Sequence, residues 1–122
     1  MPTNGIISYS RNVFIPVTNL CRNRCSYCGF RREPDEGGWF MSQKEIMALA
    51  KRGRDAGCSE ALVTLGERPE IYDEVKKKLE RSGHKNIVDY LASACEKILK
   101  VGLLPHTNAG LLNRRELSRL RL

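Results

Sequence analysis

The chain has 122 residues, 41% of them hydrophobic, and a formal net charge of +7 from 21 Lys and Arg against 14 Asp and Glu. That is enough for one modest domain, and well below the ~250 residues of a complete (β/α)₈ barrel. No apolar run approaches the ~20 residues of a membrane span, and Met1 to Ser10 lacks the charged-then-apolar layout of a secretory leader, so no membrane partner is expected and the expected compartment is the cytoplasm.

Asn12-Val-Phe-Ile-Pro-Val-Thr18 is a short β-branched run suited to a buried strand. Pro16 has no amide to donate, which places it near the strand end or where pairing is irregular. A cysteine-rich loop follows, then the turn-rich stretch Glu33 to Gly38. Ser42 with Glu45 predicts a capping box. Ile46, Leu49, Ala50 and Gly53 recur at helical spacing, and Gly57 is a natural stop. Ala61 to Leu65 predicts the second strand, ending in Gly66-Glu67-Arg68-Pro69. A polar helix is expected from Ile71 to Arg81. A second helix in the same connection starts at Asn86 with Asp89 and stops at Gly102; its apolar stripe is Val88, Leu91, Ala92, Cys95, Ile98 and Leu99. Leu103 to Thr107 predicts the third strand. Asn113 with Glu116 opens a last helix, with Leu117 and Leu120 expected to face inward.

The order β-α-β-α-β-α with right-handed crossovers implies a parallel sheet with outer helices, either a barrel segment or a small open sheet. Parallel strands are normally covered on both faces, and three of them followed by a helix ending at Arg121-Leu122 leave an open edge. Residues 1–122 therefore read as one unit, the N-terminal part of a larger α/β barrel, unless a partner chain supplies the rest.

Five cysteines is an odd number and no leader accompanies them, so metal binding or reduced core thiols are better readings than disulfides. Cys21-Arg-Asn-Arg-Cys25-Ser-Tyr-Cys28 places three thiols directly after a predicted strand, where the loops of β/α barrels build their active face. Three cysteines cannot complete the four-thiolate shell usual for an iron–sulfur cluster, which leaves one iron open to a ligand. The alternative is a zinc site whose fourth ligand is Cys58, Cys95, His84 or His106. Cys95 lies on an apolar helical stripe and reads as a core thiol, as does Cys58, while His84 reads as structural or exposed. Arg22, Arg24, Arg31 and Arg32 flank the cysteines; with the other scattered cations they read as solvated faces, and no nucleic-acid partner is expected.

The pattern C-x₃-C-x-aromatic-C after a first strand resembles the radical S-adenosylmethionine (SAM) superfamily. The resemblance implies a partial TIM barrel and a [4Fe-4S] cluster on Cys21, Cys25 and Cys28, whose open iron takes the amino and carboxylate groups of SAM. One-electron cleavage of SAM to a 5′-deoxyadenosyl radical follows from it. Tyr27 matches the aromatic position near the adenine, or else packs the loop. Gly66 and Glu67 match the end of a Gly-Gly-Glu motif that contacts the SAM amino group, with Leu65 in place of the first glycine.

Longer stretches narrow the resemblance: Tyr9-Ser10, Asn12 to Cys25, Tyr27 to Arg32, Gly66 to Glu70, Gly83-His84 and Gly102 to Asn108. Together they are similar to the G subunit, or domain, of the 7,8-didemethyl-8-hydroxy-5-deazariboflavin synthases, over its N-terminal portion. This implies a lyase of coenzyme biosynthesis, closing a deazaflavin ring with loss of ammonia. Its substrate would be a tyrosine–ribitylaminouracil adduct made by a companion radical SAM H subunit, and an electron donor would be needed. His106, Thr107 and Asn108, at the third strand's end, are either substrate-facing or, for the histidine, buried and hydrogen-bonded. Ser26 stands where a small residue such as glycine is expected, and Ala109 where proline is usual. The later strands, with much of the substrate pocket, are absent, so full turnover is not expected from this chain alone. Another radical SAM enzyme, for instance one that modifies tRNA, and a non-catalytic zinc module remain the alternatives.

Overall fold

A computed structural model describes residues 4–121; Leu122 and the first three residues of the stretch read for a leader lie outside them. Three strands, β1 (Asn12–Thr18), β2 (Glu60–Leu65) and β3 (Leu104–Asn108), form a parallel sheet in the order β1-β2-β3. Four helices accompany them: α1 (Gln43–Asp55), α2 (Asp73–Arg81), α3 (Ile87–Val101) and α4 (Arg114–Leu120). The register of β1 on β2 slips between Pro16 and Thr18, where the imide breaks the ladder.

The core lies on one face of the sheet. Val13, Ile15 and Val17 of β1 and Ala61, Val63 and Leu65 of β2 point to it, meeting Ile46 and Ala50 of α1 and Leu91, Ala94 and Ile98 of α3. Removing this apolar surface from water is the main stabilising term. On the opposite face Phe14, Leu62 and Leu104 are exposed. Pairing of Phe14 with Leu62 and of Leu62 with His106 puts these residues and His106 on that same face.

Helix boundaries follow local chemistry. Ser42 caps α1 in a complete capping box with Glu45. Asn86 caps α3 by accepting from Asp89 N, and Gly102 ends it at a φ of 103°. The polar helix begins later than the sequence suggests. Pro69–Ile71 makes a separate 3₁₀ turn, and the extended Tyr72 interrupts any continuation before Asp73. Leu117 does not face inward: it is exposed, whereas Leu120 packs against the core. The short α4 leans on α3, which leaves its other flank in solvent.

Candidate cluster and cofactor site

The cysteine loop leaves the sheet at Thr18 and returns at Phe40, which form an antiparallel bridge. Two buried polar residues close its base. Thr18 Oγ1 donates to the Trp39 carbonyl (2.6 Å), and Asn19 Oδ1 accepts from Trp39 N (2.8 Å). The Trp39 indole in turn donates to the Pro16 carbonyl (2.8 Å), beside the slip in β1.

Within this frame Cys21 is half-buried, Cys25 and Cys28 are exposed, and all three are free thiols. Cys21 Sγ accepts backbone amides from Glu67 (3.2 Å) and Asn23 (3.4 Å). At Cys28, hydrogen bonds from the Arg31 and Phe30 amides pull the thiol below its ordinary pKa. Amides directed at sulfur favour the thiolate, the form that ligates iron and zinc. The donor chemistry therefore suits an iron–sulfur group. The ligand set is not closed, however: among the described residues no three His, Cys, Asp or Glu side chains are gathered to hold a metal ion. Tyr27, 90% exposed, does not pack the loop. The neighbouring Cys25 side chain raises the phenol's pKa. The Ser26 hydroxyl is likewise in solvent.

Behind the loop, Gly66 lies against its start. A Cβ there would come 1.9 Å from the Leu20 carbonyl oxygen and 2.7 Å from Cys21 Cβ, so only glycine fits. Leu65, where the resemblance leads one to expect another glycine, turns its side chain into the core. Glu67 is buried and joins two strand-end loops to the end of β2. Its Oε2 accepts from Arg22 Nε (2.7 Å) and Asn23 Nδ2 (3.0 Å), its Oε1 from Leu111 N (2.7 Å). The Leu111 amide, then the Arg22 guanidinium, hold the carboxyl down to about 2. Next to it, Arg68 sits at a left-handed φ of 47°. A fork to both oxygens of Glu116 (2.6 and 2.8 Å) and a bond to the Leu111 carbonyl (3.2 Å) hold it there.

The flanking arginines are not all solvated. Arg22 is committed to Glu67, while Arg31 is largely buried and bonded to Glu33, Tyr72 and the Cys21 carbonyl. Arg24 and Arg32 are exposed as expected, whereas for Arg22 and Arg31 the loop folds back on the β2–α2 connection and brings Glu67 and Tyr72 within reach. Arg22, Asn23, Glu33 and Tyr72 were not singled out as site residues by the sequence. The change of charge sign from Arg31-Arg32 to Glu33 is the local hint the sequence holds.

At β3, His106 and Asn108 share the sheet face of Leu62 and Thr64, and Thr107 points to the opposite face with Val63. His106 is exposed, not buried, with Nε2 3.3 Å from Glu60 Oε1. Ser10 Oγ donates to the same carboxylate (2.8 Å). Cys95 is buried in the core, where desolvation pushes its thiol up to about 11. Cys58 is half-buried against that core. His84 stacks edge-on against Tyr90 at 5.2 Å. A cavity of about 520 Å³ lined by Phe40, Lys44, Lys78, Arg81 and Tyr90 lies away from the cysteines and contains none of the site residues.

The sequence pattern of the radical SAM superfamily matches residues 15–121. Among curated proteins, the chain is 49% identical over 116 residues to the 7,8-didemethyl-8-hydroxy-5-deazariboflavin synthase of Methanosarcina barkeri, covering 94% of this chain and 36% of that protein. It is 46% identical over 119 residues to the synthase of the same name from Methanopyrus kandleri, covering 95% and 36%. The chain thus spans about a third of the length of these relatives and resembles their N-terminal portion. Among solved structures, methylornithine synthase aligns with a TM-score of 0.63 at 23% identity, over 89% of this chain and 29% of that one. A maturase of the [FeFe]-hydrogenase aligns with a TM-score of 0.63 at 21% identity, over 91% and 23%. The fold is accordingly an N-terminal (β/α)₃ segment of a partial TIM barrel.

Proposed function

The chain belongs to the radical SAM superfamily, and from that premise we propose that residues 1–122 form the cluster-bearing N-terminal part of the core domain of a 7,8-didemethyl-8-hydroxy-5-deazariboflavin synthase. The observation that carries this is the 49% identity to a relative of that name over 94% of the chain. In this reading the protein is a lyase of coenzyme biosynthesis working in the cytoplasm. It acts on the tyrosine–ribitylaminouracil adduct supplied by a companion H subunit, with an electron donor. Full turnover needs residues beyond these.

Cys21, Cys25 and Cys28 would hold a [4Fe-4S] cluster. When bound, that group and SAM supply the one-electron chemistry from which a 5′-deoxyadenosyl radical arises. The chain's own contribution is positioning and charge. Backbone amides of Glu67 and Asn23 direct their hydrogens at Cys21 Sγ and fix where that sulfur points. Gly66 lets the strand end lie directly against the loop. Glu67 stays ionised across the working range, and three of its roughly four acceptor positions are taken by Leu111, Arg22 and Asn23. The fourth is assigned to the ammonium of SAM, with Tyr27 beside the adenine. His106 and Asn108 are assigned to the substrate, on the sheet face that carries Leu62; Thr107, expected with them, is on the other face, and a substrate role for it requires contact through its backbone.

The test is anaerobic iron and sulfide reconstitution followed by EPR of the reduced protein with and without SAM. A reduced-cluster signal that changes on adding SAM is expected, and each of Cys21→Ala, Cys25→Ala and Cys28→Ala should lose it. Equal cluster loading in Cys25→Ala, or a colourless zinc-loaded protein, would overturn the reading.

A further inference from the structure

A second polar network on the cysteine loop lies apart from Glu67. It joins Arg31, Glu33 and Tyr72. Arg31 Nη2 donates to Tyr72 Oη (2.9 Å) and to Glu33 Oε1, and Tyr72 Oη donates to Glu33 Oε2 (3.1 Å). Arg31 Nε donates to the Cys21 carbonyl (3.1 Å). Arg24 adds a second cation to Glu33 at 3.0 Å. The side chain of Arg31 is 15% exposed and that of Glu33 23%, so solvent screens the group only in part.

Its placement matters more than its strength. Arg31 lies past Cys28, ten residues from Cys21, and Tyr72 belongs to the connection between β2 and α2. One guanidinium therefore ties the two sides of the cysteine arc together, and both to the strand connection that also carries Glu67. Next to it, Arg32 N donates to the Asn19 carbonyl (3.1 Å), and Arg22 N to the Glu67 carbonyl (2.9 Å). Cys21 is thus held from its carbonyl and from its sulfur, whereas Cys25 and Cys28 project from the exposed arc between.

We propose that Arg31, Glu33 and Tyr72 form a latch that pins the cysteine loop to the β2–α2 connection and positions Cys21 as the fixed member of the thiol set. The residues are positioning groups, and the inference rests on the cluster reading above for what Cys21 is positioned toward. A planar guanidinium can serve the Cys21 carbonyl, the phenol and the carboxylate at once; an ammonium cannot hold that fork.

The first measurement uses the metal-free chain and needs no activity. Alkylation of each cysteine by iodoacetamide is followed by mass spectrometry. In the wild type, half-buried Cys21 should react more slowly than Cys28, and buried Cys95 slowest of all. Arg31→Lys should speed Cys21 labelling about tenfold, and Tyr72→Phe, which removes only the hydroxyl, about threefold, as expected for loss of charged and single hydrogen bonds. Cys95 should stay protected in both. If Arg31→Lys also exposes Cys95, it has unfolded, and Tyr72→Phe decides. Unchanged Cys21 labelling in Tyr72→Phe, with Cys95 protected, overturns the latch.

A second readout separates the two proposals. Iron release to a chelator from the reconstituted protein should be faster in Tyr72→Phe than in wild type. A wild type that loads iron while the variant releases it at the same rate sinks the latch alone. A wild type that takes up no iron sinks the cluster reading and the positioning role with it.

Discussion

Gly66 and Glu67 show how two adjacent residues can serve one site by different physics. Gly66 acts by lacking an atom. The Leu20 carbonyl already occupies the place of a Cβ, and the obstruction is backbone, which cannot swing aside. Gly66→Ala is therefore expected to destabilise the chain by about 3 kcal/mol and to displace Cys21. Urea unfolding would measure the first effect and loss of iron uptake the second. Glu67 acts by gathering donors, and its partners Arg22, Asn23 and Leu111 come from two different loops. The cysteine spacing was legible in the sequence because all three thiols lie within one short loop. The partners of Glu67 were not, because Leu111 is brought in only when β3 pairs beside β2. Arg31 was misjudged for the same reason: its partner Tyr72 is 41 residues away.

At the scale of elements, the most legible features were those written in adjacent residues. The boxes at Ser42 with Glu45 and at Asn113 with Glu116 both form, as does the Asn86 cap. Each satisfies orphan amides with side chains three residues apart, so no tertiary information is needed. Ser42→Ala should accordingly lower stability by about 1 kcal/mol, read as a shift in the denaturant midpoint without a change in slope. The start of α2 was less legible. Tyr72 takes an extended conformation and contributes its hydroxyl to the latch, and that tertiary engagement accompanies the break in a helix expected from Ile71. Leu117 failed differently: helical spacing predicts a stripe, but α4 is short and has α3 on only one side.

For the whole molecule, two carboxylates hold separate parts of the chain together and contribute to its response to acid. Glu67 is held down to about 2 by the Leu111 amide and Arg22, and Glu116 to about 2 by Arg68, against an ordinary value of 4.5. A carboxyl depressed by folding binds its proton more readily in the unfolded chain, so it stabilises the fold above the unfolded value. Stability should therefore be flat with respect to these groups above about pH 5.5 and fall as pH drops from about 4.5 toward 2. Denaturant titrations across that window should show the fall, and Glu67→Gln should make it shallower while lowering stability at pH 7. A fall equally steep in the variant would remove Glu67 from this role. By itself the sequence determined the order of strands and helices, the caps and the cysteine loop, because these depend on periodicity and on neighbours a few residues apart. Only the tertiary structure decided which charges meet, which face of the sheet carries His106, and how Cys21 is held, because those contacts join residues from different loops and exist only once the strands are paired.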